Sequence, residues 1–177
     1  YGGSCFPKDT KALTKIAEDN NSSAKILEAV IQVNEEQKIR MIKKICHALN
    51  EEFNDKKIAV LGLTFKPETD DMRDAPSLTI LPKLVEKGIK INAHDPQGID
   101  EAKKILPSEI NYYNDIYMTF DGADAVVLIT EWNVYRNLDM KLIKEKLNTP
   151  PVFIDLRNVY EPEKMKELGF KYFSIGR

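Results

Sequence analysis

The chain has 177 residues, 42% hydrophobic and 31% charged, with a net charge of −2. That balance supports a folded core, excludes a disordered polymer, and provides no basic field to recruit nucleic acid or an anionic membrane. No apolar run reaches the roughly 18–20 residues of a membrane span. Cys5 and Cys46 form neither a disulfide framework nor a zinc spacing, which predicts a reducing, cytoplasmic setting. His47 and His94 have no companion ligands, so no metal site is expected.

Residues 7–19 read as a first helix. Pro7 suits the first turn, Asp9 adds favourable charge there, and Leu13, Ile16 and Ala17 make an apolar stripe. "EDNNSS" breaks it. From Ala24 to Leu49 a long helix follows, with Ile26, Val30, Val33, Ile42, Cys46 and Leu49 recurring at three- and four-residue steps. At about 39 Å it is long for a small domain, and is predicted to bridge two domains or pack against its copy in a dimer.

After "NEEFNDKK" strands and helices alternate. "KIAVLGL" (57–63) reads as a strand, Pro76 to Lys87 as a helix kinked at Pro82 and stopped by Gly88, and "IKINAHD" (89–95) as a second strand. "GIDEAKKIL" is a short helix, "INYY" a third strand and "DIYMTFDGA" another helix. "DAVVLIT" (124–130) has the form of a buried strand, and "PVFIDL" (151–156) is the next. The helices "LDMKLIKEKL" and "EPEKMKELG" and a final "KYFSIG" complete the pattern. The expected fold is α/β: a doubly wound, parallel, Rossmann-like sheet of about five to six strands, preceded by a helical region with one long helix. The expected units are 1–52 and 53–177.

In such sheets ligands bind beyond the carboxyl ends of the strands. The first turn, "GLTFKPETDDMRDAPS", has one glycine where a dinucleotide cradle would show G-x-G-x-x-G, which argues against NAD in this domain. It offers Phe65 for stacking on a base, Lys66 for phosphate, and the planar fork of Arg73 for phosphate or carboxylate. The plain alternative is a solvated loop with Phe65 packed beneath it. Asp95 sits where a ribose-binding carboxylate would lie, but a turn residue before Pro96 is the better reading. Arg157 follows the strand "VFIDL" and either meets a nucleotide or makes a surface ion pair. Trp132 is expected to seal the mouth of the sheet.

Gly2 and Gly3 permit close backbone approach to a ligand. Cys5 precedes a helix N-terminus and has Lys8 nearby, surroundings that favour a thiolate nucleophile. Asp9 is within reach to orient a water or a cation. Cys46, on an apolar stripe, reads as a small hydrophobe. A reactive loop at a chain end needs something to hold it. Either Cys5 is ordinary, or these residues are the back part of a longer protein.

"YGGSCFPKDTKAL" resembles the catalytic-cysteine segment of the UDP-glucose/GDP-mannose dehydrogenase family. "KIAVLGLTFKPETDDMRDAPSLTILPKLVEKG" resembles the start of that family's nucleotide-sugar-binding domain, and "VNEEQ", "AHDP", "DAVVLITEW" and "FIDLRNVY" agree in order. The resemblance covers essentially the whole chain. It implies an N-terminal NAD-binding domain preceding these residues, and two successive NAD-dependent oxidations at C6 of a nucleotide sugar through a cysteine-bound thiohemiacetal and thioester. By the same resemblance Cys5 is the nucleophile and Asp9 assists hydrolysis. Gly2 and Gly3 meet the sugar, Phe65, Lys66 and Arg157 hold the nucleotide, and Arg73 reaches the cofactor side. It further implies a homodimer through helix 24–49. "FKPETDDMRDAPS" and "YFSIGR" favour UDP-glucose as substrate. UDP-N-acetylmannosamine, GDP-mannose, or a non-catalytic UDP-sugar-binding module are the alternatives.

Overall fold

A computed structural model describes residues 1–3 and 5–176. Six strands form one all-parallel sheet in the order β3-β2-β1-β4-β5-β6. They are β1 (Lys57–Leu61), β2 (Lys90–His94), β3 (Asn111–Tyr112), β4 (Ala125–Leu128), β5 (Val152–Asp155) and β6 (Lys171–Ser174). The order reverses between β1 and β4, which makes the carboxyl ends of those strands the crevice of a doubly wound sheet.

Period-two burial builds the two faces. Ile58 and Val60 of β1, with Val127 and Ile154, join one core; Ala59 and Leu61, with Val126, Leu128 and Phe153, join the other. The first face is covered by the second half of α2 (Lys25–Ala48), by α3 (Ser77–Val85) and by α4 (Ile99–Ile105). The second is covered by α5 (Met140–Lys146), α6 (Pro162–Glu167) and a 3-10 helix over Ile116–Phe120. "DIYMTFDGA", expected as a helix, makes only that 3-10 turn, with the Asp115 side chain capping the Tyr117 amide. A second 3-10 turn, Asn133–Asn137, carries the buried Tyr135. Pro82 lies inside α3 without ending it.

The apolar stripe of α2 divides in two. Met41, Ile42, Ile45, Cys46 and Leu49 are buried against the sheet, whereas Ile26 is 81% exposed and Val33 55%. Leu13 and Ile16 of α1 (Phe6–Asp19) are exposed as well. No helix among the described residues is long and apolar enough to cross a membrane.

Candidate active site

Two buried carboxylates shape the loops above the sheet. Asp95, 2% exposed, accepts from the amides of Leu63 (2.7 Å), Gln97 (3.0 Å) and Gly98 (2.7 Å) and from Trp132 Nε1 (3.2 Å). It ties the turn after β1 to the turn after β2, with Trp132 sealing the top. That is structural work, as its position before Pro96 suggests. Asp155 does the same after β5, accepting from the amides of Arg157 (2.9 Å), Val159 (2.7 Å) and Tyr160 (3.0 Å) and from the Tyr172 hydroxyl (2.8 Å). The backbone at Arg157 is thereby fixed.

Gly62, at φ +87°, ends β1 against Thr130; a Cβ there would lie 2.6 Å from the Thr130 amide nitrogen. Its lack of a side chain serves packing between strands. The turn then stays irregular until α3, and the Ser77 hydroxyl donates to the Leu63 carbonyl at 2.5 Å. These residues do not form the glycine cradle that NAD needs at a first βα turn.

A cavity of about 260 Å³ opens beyond the carboxyl ends of β4, β5 and β6 and beside the turn after β1. Gly2, Phe65 and Arg157 line it, together with Tyr1, Asn34, Gln37, Lys38 and Asp74. Three of the sequence-predicted residues thus meet there. Gly3 is buried against the Phe65 ring. Cys5 caps α1 and is exposed; its carbonyl accepts from the Asp9 amide at 2.9 Å. The Asp9 carboxylate pairs with Lys8 at 3.4 Å on the surface. Lys66 is exposed, and Thr64 Oγ1 lies 3.1 Å from its carbonyl.

Both arginines are forked onto carboxylates. Arg73 holds Asp71 through Nε (2.9 Å) and Nη2 (3.0 Å), while Arg157 holds Glu131 at 2.5 and 2.7 Å. Hydrogen bonds from Arg73 hold the Asp71 carboxyl below its usual range, with burial opposing. For Glu131 burial pushes upward, but the bonds and charge of Arg157 prevail and the carboxyl is lowered. The Arg73 guanidinium is raised, first by its hydrogen bonds to the Asp71 carboxylate and then by that group's charge. Cys46 is 3% exposed and burial pushes its thiol up, which suits a packing role.

Sequence reasoning missed Lys38, Asn34, Gln37 and Glu131. Lys38 is 8% exposed and reaches Glu35 (3.0 Å) and Asp74 (3.1 Å). "VNEEQK" contains three of these four, but only the fold turns that helix face toward the cavity.

Residues 59–162 match the UDP-binding domain of the UDP-glucose/GDP-mannose dehydrogenase family, and residues 1–36 match its central domain. The chain belongs to this family. Family members named UDP-glucose 6-dehydrogenase are 43% identical in Rhizobium meliloti and, for the one called TuaD, 41% in Bacillus subtilis, each over 100% of the chain. The chain spans only 40% and 38% of those relatives. Among solved structures, a UDP-glucose dehydrogenase from Pyrobaculum islandicum superposes with a TM-score of 0.81 at 29% identity, covering 98% of this chain and 37% of that one. An NDP-N-acetyl-D-galactosaminuronic acid dehydrogenase from Methanosarcina mazei gives 0.87 at 26%, covering 100% and 38%.

Proposed function

We propose that the protein carrying this chain is an NAD-dependent UDP-glucose 6-dehydrogenase, and that these residues are its cysteine-bearing, UDP-holding portion. The observation that carries this is the cavity shared by Gly2, Phe65 and Arg157 at the crevice of a doubly wound sheet, with Gly2 three residues before Cys5 in the sequence. The identity to enzymes of that name supports the choice of sugar.

In this reading residues 1–52 carry the cysteine and the helical dimer region, and 53–177 the UDP site. Phe65 packs on the nucleotide, Lys66 and Arg157 meet the diphosphate, and the Gly2–Gly3 backbone approaches the sugar. NAD is the family's oxidant, and its cradle lies outside the residues described, with Arg73 the one contact assigned here. Cys5, as thiolate, adds through sulfur to the carbonyl carbon of the C6 aldehyde while the carbonyl oxygen takes a proton. The half-oxidised sugar is so retained. After that adduct is oxidised to a thioester, water displaces the sulfur, giving the uronic acid and returning the thiol. Asp9, one helical turn from Cys5, positions that water.

The exposed apolar face of α2, with Ile26, Val30 and Val33, supports a homodimer through that helix. The residues fit a cytoplasmic enzyme, since an exposed cysteine nucleophile needs reducing conditions.

Calorimetry tests the nucleotide site directly. UDP is expected to bind the 177-residue chain, and Lys66→Ala to weaken binding about tenfold, the value of one charge-assisted hydrogen bond. Silence with UDP across millimolar concentrations would refute the reading. With UDP-glucose and NAD+ added, the chain alone is expected to make no NADH.

A further inference from the structure

The Gly2–Gly3 pair and Phe65 lie far apart in sequence and touch in the fold. A Cβ built on Gly2 would fall 2.5 Å from Phe65 Cε2, and one on Gly3 2.5 Å from Cε1. The phenyl ring therefore lies across both residues, and a side chain at either would have to displace it. Gly3 also holds φ +77°, where a side chain would be strained. The same ring and Gly2 line the cavity assigned above to UDP. Cys5, two residues beyond Gly3, is the N-cap of α1.

Phe65 is itself anchored. Its amide donates to the Asp71 carbonyl at 3.0 Å, and the Asp71 carboxylate accepts from Arg73 Nε at 2.9 Å. One ring thus lines the nucleotide cavity and lies against the segment that leads to the sulfur. Glycine pairs have little conformational restraint of their own, so the ring restrains this one, together with the hydrogen bond between the Tyr1 hydroxyl and Thr10 Oγ1.

We propose that Phe65 is a positioning residue for Cys5: a nucleotide in the cavity fixes the ring, and the ring fixes the Gly2–Gly3 segment that presents the thiol. The inference rests on the UDP reading of the cavity. It adds that occupancy changes thiol accessibility through this ring, so the nucleotide half of the substrate readies the nucleophile for the sugar half.

The test is the rate at which iodoacetamide alkylates Cys5 in the 177-residue chain, read by peptide mass spectrometry with and without UDP. Buried Cys46 is the internal reference. UDP is expected to slow alkylation at least about threefold in the native chain, as ordering of the segment withdraws its open conformers. In Phe65→Ala the rate without UDP is expected to rise, and the effect of UDP to vanish at matched occupancy set by calorimetry. Phe65→Leu, which keeps bulk without the ring, is expected to fall between and replaces the alanine variant if that fails to fold. If UDP binds and protects Cys5 equally in native and variant chains, the nucleotide shields the sulfur directly; the inference falls and the UDP reading stands. If UDP binds without changing native alkylation, the inference again falls alone. If UDP does not bind the native chain, both fall.

Discussion

Arg157 and Glu131, just past the carboxyl ends of the neighbouring strands β5 and β4, make a two-point ion pair with contacts of 2.5 and 2.7 Å. The guanidinium is thereby aimed and held before any ligand arrives, beside a cavity it helps to line. Lysine cannot reproduce a fork. Arg157→Ala is expected to weaken UDP binding at least about tenfold, and Arg157→Lys to recover little of it. Calorimetry on the two variants measures this, and full recovery by lysine would reduce the role of Arg157 to a point charge.

Gly62 and Gly88 share a left-handed φ, +87° and +85°, but differ in surroundings. A Cβ at Gly62 meets Thr130 backbone at 2.6 Å, while one at Gly88 meets nothing within 4 Å. Gly88→Ala is expected to cost about 1 kcal/mol of backbone strain. Gly62→Ala adds a clash between packed strands and is expected to cost at least about 3 kcal/mol or prevent folding. Urea unfolding of both variants settles the comparison; equal losses would mean that strand packing at Thr130 is not tight.

Lys38 ties α2 to the loop after β1 by pairing with Asp74, whose Oδ2 is buried and has no hydrogen-bond partner among the described residues. Removing the ammonium leaves that carboxylate uncompensated. Lys38→Met is expected to cost about 2 kcal/mol, less than for a fully buried pair because Asp74 keeps partial access to water. Adding Asp74→Asn, which tolerates the φ of +56° at that position, is expected to restore most of the loss. A double-mutant cycle with no coupling would show that the two charges act independently.

His94 is 7% exposed, with Nδ1 3.0 Å from the Tyr135 hydroxyl. Burial holds its imidazole below the ordinary 6.5, with Asp95 opposing. The unfolded chain therefore binds the proton first as pH falls. Stability from neutral His94 is complete above 6.5 and is lost as pH drops toward the folded value, by up to about 1.4 kcal/mol per pH unit. Urea midpoints at pH 7.5 and 5.5 should differ more in the native chain than in His94→Gln. Parallel profiles would assign the acid sensitivity to other groups.

The strand at Ala125–Leu128 was legible as an apolar run bounded by turn residues, and α2 as a helix from the three- and four-residue recurrence of its apolar positions. The helix boundary at Cys5 was legible too, since Pro7 and Asp9 mark a first turn. Partnership was not legible. The α2 stripe continues unbroken through Ile26, Val33 and Ile42, yet only its second half meets the sheet, because periodicity names a face and not what covers it. Glu131 met Arg157 only once strand order made β4 and β5 neighbours. Phe65, read as a base-stacking ring, also proved to be the surface on which Gly2 and Gly3 rest, a contact set by the tertiary fold.

The most direct measurement is UDP-glucuronate formation from UDP-glucose and NAD+ by the full-length protein carrying this chain, native against Cys5→Ser. The account predicts that the serine variant, still folded and still binding UDP, loses at least about a thousandfold in turnover, because a hydroxyl does not capture the aldehyde as a thiolate does. Uronate produced at an undiminished rate would contradict it.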